Sequence, residues 1–331
     1  DWKDITDPRG VYLPEGSATG ESNPQIVNTL YETDDVVIVD IIPTEMGYAV
    51  DNTGKYDSTD GIQDALYDCY NAGGGTVYLP AGNYAITDTI YVPPHVTLRG
   101  DWQDPDEGTE YGTIVSVWMD SSEAKDGGAF MVAGSAGILG MTVYYPFQTL
   151  YEVLPYPATF YVEDDAKMVT LKNITVINGY RGVSSSYEIA HDSLNLDHFK
   201  GTFLYCGVEE YNEAEVGTFD DVVISGKYWK EAAADCMNRP VARYLEEYLK
   251  KNATGMILGD CEWPTYANIT IEGYSVGISF VAGYRYKFSG SMIDINIVDC
   301  GKGIVSTDGD ERWGMVIARS SIDGGIAHGW I

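Results

Sequence analysis

The sequence predicts an all-β solenoid, a parallel β-helix in which short strands stack coil upon coil. Three observations predict this fold class: a period-two pattern of short strands from residue 76 onwards, Gly and Pro turns between these strands, and an internal repeat of apolar triplets. Repeats of about 20–28 residues with two or three strands each are typical of solenoids, because each unit buries its apolar residues against its neighbours. A leucine-rich repeat would need a Leu and Asn spacing that the sequence does not have.

The repeat consists of apolar triplets that each follow an Asn, Ser or Asp. The five units are NITV (173–176), SLNL (193–196), DVVI (221–224), NITI (268–271) and DINI (294–297). In three units a glycine follows nine residues after the polar residue (182−173, 277−268 and 303−294). Equivalent positions of successive coils lie about 4.8 Å apart, so we expect the polar column to share hydrogen bonds and cap a turn. That structural role is favoured over a catalytic acid pair.

A capping helix is expected in STDGIQDALYDCYNAGGG (58–75), where apolar residues recur at helical spacing. Asp60 with Gln63 resembles a capping box, and Gly73 is predicted to end the helix. The glycine triplet that follows leads into a strand rather than a helix, which excludes a phosphate-binding loop. The triplet is therefore interpreted as a hinge.

Two further features complete the predicted organisation. The run VVIVDIIP (36–43) is predicted as the first strand, so that residues 1–35 form an N-terminal extension and residues 36–331 the β-helix domain. Residues 230–251 are predicted as a helical insertion, with Pro240 at the first helical position. The strand pattern is still running at SSIDGGIAHGWI (320–331), so we expect the β-helix to be able to continue beyond the last residue.

Composition limits the partners. With 50 acidic against 20 basic residues the formal charge is −30, which disfavours nucleic acid and anionic membrane surfaces because both would be repelled. The sequence contains no apolar run of about 18 residues, so no membrane insertion is expected. The five cysteines are scattered and are expected to be buried free thiols. The 26 Tyr and 7 Trp offer apolar faces with polar tips, a combination suited to sugars.

The segment STDGIQDALYDCYNAGGGTVYLPAGNYAITDTIYVPPHVTLRGD (58–101) resembles the start of the pectate-lyase-like superfamily. The resemblance is to the branch called pectate lyase superfamily protein, which is similar to family 55-type β-1,3-glucanases. Members begin with an Asp-Ser or Asp-Thr capped helix, a GGGTV strand, an LPAGxY turn and a final V-x-L-x-G, and residues 57–100 carry this signature. The resemblance implies a right-handed parallel β-helix and a secreted or cell-surface protein that acts on polysaccharides.

The resemblance identifies no catalytic residue. The polygalacturonase pattern of Asn-Thr-Asp, Asp-Asp, Gly-His-Gly and Arg-Ile-Lys is absent from the sequence, as is the Arg-x-Pro-x-x-Arg of calcium-dependent pectate lyases. Neither a G-x-S-x-G motif nor a His/Cys zinc spacing is present. Candidate residues must therefore come from the loops.

Loops that follow the second strand of each unit are expected on one side of the solenoid, where such proteins usually bind partners. These loops are SYEIAHD (186–192), EEY (209–211), GDCEW (259–263), GYRY (283–286) and DGDERW (308–313). Glycoside hydrolysis needs two carboxyl groups about 5–10 Å apart, a separation that adjacent coils provide. The predicted catalytic residues are Asp308, Asp310, Glu311, Glu262 and Asp260. The predicted substrate-binding residues are Trp263, Trp313, Tyr284, Arg285, Tyr286 and His191.

The favoured function is therefore extracellular hydrolysis of a polysaccharide or oligosaccharide by paired carboxylates, without a cofactor. Calcium at Asp308-Gly309-Asp310-Glu311 is a second interpretation, because the loop offers carboxylate oxygens at alternating positions. A polysaccharide lyase and a non-catalytic carbohydrate-binding adhesin or tailspike-like β-helix stay open. The charge of −30 disfavours an anionic substrate unless calcium or a basic patch bridges it. The sequence does not indicate an oligomeric state.

Overall fold

The protein is a parallel β-helix, seen in a computed structural model that describes residues 24–120, 127–232, 237–284, 287–307 and 314–328. All pairings in its main sheet are parallel, and one short antiparallel pair precedes it. The helices are α1 (Pro43–Met46), α2 (Thr59–Asn71), α3 (Lys227–Lys230) and α4 (Ala242–Asn252). The strands are β1 (Gln25–Ile26), β2 (Ile38–Val39), β3 (Thr53–Asp57), β4 (Gly75–Tyr78), β5 (Gly82–Ile86), β6 (Ile90–Val92), β7 (Val96–Arg99), β8 (Thr113–Val117), β9 (Gly128–Val132), β10 (Gly137–Tyr144), β11 (Ala158–Val162), β12 (Thr170–Ser184), β13 (Asn195–Glu210), β14 (Thr218–Ser225), β15 (Thr254–Leu258), β16 (Glu262–Glu272), β17 (Val276–Phe280), β18 (Ser289–Val298), β19 (Lys302–Ser306), β20 (Met315–Ala318), β21 (Ser321–Ile322) and β22 (Ile326–His328).

The strands stack into three faces that run along the solenoid. The first face comprises 75–78, 96–99, 137–139, 170–172, 195–197, 218–220, 265–267, 290–293 and 315–318. The second face comprises 53–57, 82–86, 113–117, 141–144, 174–176, 199–201, 222–225, 269–272, 295–298 and 321–322. The third face comprises 90–92, 128–132, 158–162, 181–184, 206–210, 254–258, 276–280, 302–306 and 326–328.

From the coil at 137–144 onwards, a single residue turns the chain from the first face to the second, and this column is called the bend column. Its non-glycine members all have positive φ, between 50° and 57°. They are Asn173, His198, Asp221, Asn268, Asp294 and Arg319, preceded by Gly100 and Gly140. Asn, Asp and His are the non-glycine residues that adopt this backbone conformation most readily.

The bend column corrects one alignment of the repeat. The pairing of Lys172 with Asp197 and of Ile174 with Phe199 places His198, not Ser193, beside Asn173. Ser193 lies in the preceding turn, where it also has a positive φ. The remaining triplets align in register as predicted.

The core lies inside the three faces. One ladder of fully buried side chains on the second face runs Ile174, Phe199, Val222, Ile269 and Ile295. Aromatic rings also stack between coils, as with Phe219 and Tyr266 at 4.5 Å between ring centroids. The alternation of apolar and polar residues that predicted the strands therefore points the apolar set inward.

Glycines lie at the start of the third-face strand in the three units that show the nine-residue spacing, at Gly182, Gly277 and Gly303. A Cβ on Gly182 would lie 2.1 Å from the carbonyl oxygen of Gly207, and one on Gly277 would lie 2.6 Å from that of Gly303. The next coil passes so close that only glycine fits at these positions.

Helix α2 caps the N-terminal end of the core, and it buries Ile62, Leu66 and Cys69. The predicted capping box is wrong, because Gln63 does not turn back to the helix start. Its side chain instead donates to the backbone oxygen of Tyr91 and accepts from the backbone N–H of Tyr91, at 2.9 and 2.8 Å. A contact with β6 thus replaces the local cap.

The segment before α2 differs from the predicted first strand. Only Ile38–Val39 of residues 36–43 is a strand, and it pairs antiparallel with β1 outside the coils. Pro43 instead begins the short helix α1.

The predicted helical insertion is present as two helices, α3 and α4, between β14 and β15. Helix α4 begins at Ala242 with Val241 as its N-cap, two residues after the predicted start at Pro240. Leu245 and Leu249 on one side of this helix are buried, whereas Tyr244 is half exposed. Helix α4 of the insertion therefore packs against the coils through the side that carries Leu245 and Leu249.

Two predictions from composition can be compared with the described residues. Cys69, Cys206, Cys261 and Cys300 are buried free thiols, as expected. No helix in this part of the chain combines the length and apolar character needed to cross a bilayer.

Candidate functional site

Within the described residues, the loops at 186–192, 209–211, 259–263 and 283–284 meet at the edge where third-face strands turn into the next coil. The Tyr187 ring lies 5.2 Å from that of Tyr211 and 6.2 Å from that of Tyr284, measured between centroids. Gly283 packs directly over Asp260, so that a Cβ there would collide with the carboxyl group. This loop edge brings aromatic residues from separate coils together.

The predicted site residues differ in exposure. Asp260 is fully buried, and its carboxylate accepts the backbone N–H of Asn212 at 3.0 Å. His191 is 2% exposed, and burial lowers its pKa to about 4. Glu262 is partly exposed, whereas Trp263 and Tyr284 are more than half exposed. The other predicted residues lie outside the described residues: Asp308, Asp310, Glu311, Trp313, Arg285 and Tyr286.

Beneath this loop edge lies a buried group of Glu210, Glu213 and Cys261, here called the acid cluster. One oxygen of each carboxylate and the Cys261 sulfur all lie within 4.8 Å of one another. Each carboxylate is also held by a hydrogen bond: Glu210 Oε2 accepts from the Tyr266 hydroxyl at 2.7 Å, and Glu213 Oε1 accepts from the Leu194 N–H at 3.0 Å.

Burial raises the pKa of Glu210 and of Glu213, and the proximity of the two carboxyl groups raises that of Glu213 further. Burial likewise raises the pKa of the Cys261 thiol. Two adjacent carboxylates in the interior cannot both stay charged without a proton or cation between them. A glycan on the surface cannot reach this cluster, so its chemistry is not that of a substrate site.

A different polar group lies on the surface beside the bend column and is called the bend site: Lys172, Asp197, His198 and Asp221, together with Trp102. Lys172 Nζ lies 3.2 Å from Asp197 Oδ2, Asp197 Oδ1 lies 2.5 Å from His198 Nδ1, and His198 Nε2 lies 3.7 Å from Asp221 Oδ2. The His198 side chain is 45% exposed and that of Asp221 37% exposed. Acid, base and cation thus alternate across three successive coils in contact with solvent.

The contacts orient the imidazole. Because a carboxylate only accepts hydrogen bonds, Nδ1 of His198 carries the proton shared with Asp197, and Nε2 faces outward towards Asp221. Lys172 donates to Asp34 at 3.0 Å as well, which lowers the pKa of that carboxyl and raises the pKa of Lys172. The carboxylate and the ammonium hold the histidine in one position.

A small cleft of about 110 Å³ opens next to these residues. It is lined by Glu32, Thr33, Asp34, Asp35, Arg99, Gly100, Trp102, Leu139, Gly140, Lys172 and Asn173. The Trp102 indole N–H donates to Thr175 at 2.8 Å, which fixes the ring over the second face. An enclosed small-molecule pocket has about 300–1,000 Å³, so this cleft suits part of a chain that extends over the surface.

The bend site has the parts of a proton-transfer centre. A histidine oriented by a carboxylate is a common general acid or base, and a second carboxylate next to it can stabilise positive charge. Trp102 offers an apolar face in the cleft that Lys172 also lines, as sugar rings require. The arrangement therefore combines a group that can transfer a proton with a neighbouring carboxylate that can stabilise positive charge.

The sequence interpretation did not identify Asp197 and His198. It assigned the polar column to turns and used Ser193 for this coil, which hid His198 as the column member. The available signal was DHF (197–199), a polar pair before an apolar residue, the same pattern as DDV (220–222). The acid cluster was missed as well, although Glu210 lies in a loop that was singled out.

Comparison with known families confirms the resemblance to the pectate-lyase-like superfamily. A family model described as "Rhamnogalacturonase A/epimerase, pectate lyase-like" matches residues 46–114, which include α2 and the first coil strands. No curated protein sequence matches the chain.

Solved structures that resemble this chain are also β-helical proteins. The phiAB6 tailspike, in complex with three-repeated oligosaccharides of Acinetobacter baumannii surface polysaccharide, has a TM-score of 0.53 at 14% identity over 87% of this chain and 47% of that chain. A tailspike double mutant of E. coli bacteriophage HK620, in complex with a pentasaccharide, has a TM-score of 0.53 at 12% identity over 96% and 56%. The A-module of mannuronan C-5 epimerase AlgE4 from Azotobacter vinelandii has a TM-score of 0.38 at 15% identity over 87% and 88%.

The chain spans about half the length of these two tailspikes. At such low identities the likeness concerns the fold alone. The predicted parallel β-helix is confirmed.

Proposed function

We propose that this pectate-lyase-like β-helix is an extracellular carbohydrate-active enzyme that hydrolyses a glycosidic bond at the bend site. The observation that carries the proposal is the partly exposed Asp197–His198–Asp221 group, which Lys172 connects to a cleft also lined by Trp102. Tailspikes of the same fold are bound to oligosaccharides, which supports a carbohydrate ligand.

The roles follow from the contacts. Trp102 would stack against a sugar ring, and His198 Nε2 would protonate the glycosidic oxygen and then accept a proton from water. Asp197 would keep the imidazole oriented, and Asp221 would stabilise the positive charge that develops at the anomeric carbon.

Hydrolysis is favoured over β-elimination by the charges. A lyase must neutralise the carboxylate of an acidic sugar, yet Arg99 is paired with Asp35 and Lys172 with Asp34 and Asp197. Lys200 is likewise paired with Asp104 and Asp106. The cations near the cleft are already neutralised in a protein of charge −30, so a neutral glycan fits better than an anionic one.

The test is a screen of neutral and acidic polysaccharides with the full chain, followed by product analysis. We expect new reducing ends from a neutral glycan without the absorbance of an unsaturated product. An unsaturated product would mean that the protein is a lyase that acts by elimination. Binding without any cleavage would mean that it is a carbohydrate-binding protein and not an enzyme.

The loop edge is the competing location. Asp308→Asn, Asp310→Asn and Glu262→Gln would each abolish cleavage if the carboxylates predicted there are catalytic, whereas the bend-site proposal expects the activity of all three to be retained. Loss of activity in these variants, with a normal rate in His198→Asn, would contradict the proposal.

A further inference from the structure

The acid cluster has a geometry that hydrogen bonds within the protein do not explain. Glu210 is 1% exposed and Glu213 is fully buried, yet with both carboxyl groups ionised Oε1 of Glu210 and Oε2 of Glu213 accept no hydrogen bond from any described residue. Leaving such an oxygen without a partner in the interior is costly, so each needs a proton or a cation.

One oxygen of each carboxylate is fixed by a hydrogen bond, and this orients the second, unpartnered oxygen of Glu210 and of Glu213. Tyr266 holds one oxygen of Glu210 and the Leu194 N–H holds one oxygen of Glu213, while the two carboxyl groups remain within hydrogen-bonding reach of each other. The sulfur of fully buried Cys261 completes the group, with the ligand atoms within 4.8 Å of one another. Groups that orient ligands from behind in this way are typical of metal centres.

We infer that Glu210, Glu213 and Cys261 bind a zinc ion in the interior of the β-helix. A thiolate with two carboxylates matches the ligands that zinc accepts, whereas calcium and magnesium bind oxygen ligands alone. The ion replaces the protons of the three groups and removes the repulsion between the two carboxylates.

The site joins neighbouring coils. Glu210 ends the long strand β13, Glu213 lies in the turn after it, and Cys261 follows β15. Since β13 pairs with β15 on the third face, the ion connects two coils under the loop edge. Zinc therefore fixes the turns that carry Tyr211 and Asp260, independently of catalysis at the bend site.

The experiment measures metal in the full chain after expression with added zinc and removal of loose metal. We expect about one zinc per chain, and after chelation we expect cobalt(II) to bind with the absorption of a thiolate ligand. Cys261→Ser should lose the metal and that absorption. Cys206→Ser is the matched control, because Cys206 is an equally buried thiol whose S–H reaches the backbone oxygen of Val208 instead.

A second variant guards against a folding defect in Cys261→Ser. Tyr266→Phe removes only the hydroxyl that orients Glu210 and should weaken zinc binding by about 10–100-fold. A folded wild-type chain that takes up neither zinc nor cobalt in stoichiometric amounts would overturn the proposal, since the carboxyl groups would then share a proton. So would full retention of the metal in Cys261→Ser. Neither result depends on glycan activity.

Discussion

The two histidine regions of this molecule carry similar residues in opposite environments. At the bend site His198 lies between Asp197 and Asp221 and is 45% exposed. Near the acid cluster, His191 pairs through its backbone with Glu213 and is 2% exposed. Solvent access thus separates a group that can exchange protons with a substrate from one that burial keeps neutral.

The largest expected effect concerns the exposed histidine. His198→Asn removes the imidazole but keeps a residue that occupies the same bend position at Asn173 and Asn268. We expect the cleavage rate to fall by about 10²–10⁴-fold, because general acid–base catalysis contributes that much. Asp294→Asn is the matched control, being an exposed bend residue paired with Arg319. Equal cleavage rates for the two variants would mean that His198 has no catalytic role beyond that of any other bend residue.

The buried histidine should affect acid stability instead. Its folded pKa of about 4 lies below the ordinary 6.5, so between these values the unfolded chain binds more protons and the free energy of unfolding falls as the pH is lowered. The contribution is about 3 kcal/mol between pH 7 and pH 4. Chemical denaturation of His191→Gln across this range should show a flatter slope, and exposed His95→Asn should show the wild-type slope. A change in KM for His191→Gln, with an unchanged slope, would make His191 a substrate residue as the sequence predicted.

Removal of one buried hydroxyl tests the acid cluster at smaller scale. Tyr266→Phe leaves one Glu210 oxygen without its donor and should lower the free energy of unfolding by about 1–3 kcal/mol. Tyr244→Phe, on the exposed side of α4, should change it by less than about 0.5 kcal/mol. Equal effects of the two variants in urea titrations would mean that the hydrogen bond between Tyr266 and Glu210 does not stabilise the fold.

The smallest effect separates two candidate aromatic platforms. Trp102→Ala should raise KM about tenfold with little change in kcat, because it removes contact with a sugar away from the reacting bond. Trp263→Ala, at the loop edge, should leave KM unchanged although this ring is more exposed. The opposite outcome, a raised KM in Trp263→Ala alone, would mean that the glycan binds at the loop edge.

Much of the fold could be predicted because its causes are local. The residues of the apolar triplets alternate between inside and outside, and Gly182 and Gly277 mark the places where the next coil approaches. Gln63 was misassigned for the opposite reason: its partner Tyr91 lies on another element, and helix signals do not reveal such a contact.

The bend site depended on register between coils, which the sequence does not determine. A coil of 20 residues from Asn173 to Ser193 and a coil of 25 residues from Asn173 to His198 both fit the predicted repeat length. The sequence alone therefore accepts either residue as the member of the column, and only the strand pairing selects His198. Burial of Asp260 depends on Gly283, a residue of the following coil. The loop edge could thus be predicted as a surface, but the exposure of its individual carboxylates could not.

The central claim is that the glycan lies over the bend site, and a structure of the inactive His198→Asn chain with its glycan tests it most directly. The proposal predicts a sugar ring against Trp102 and the glycosidic oxygen next to position 198, within reach of Asp221. Sugar bound at Trp263 and Tyr284, with the bend site empty, would contradict it.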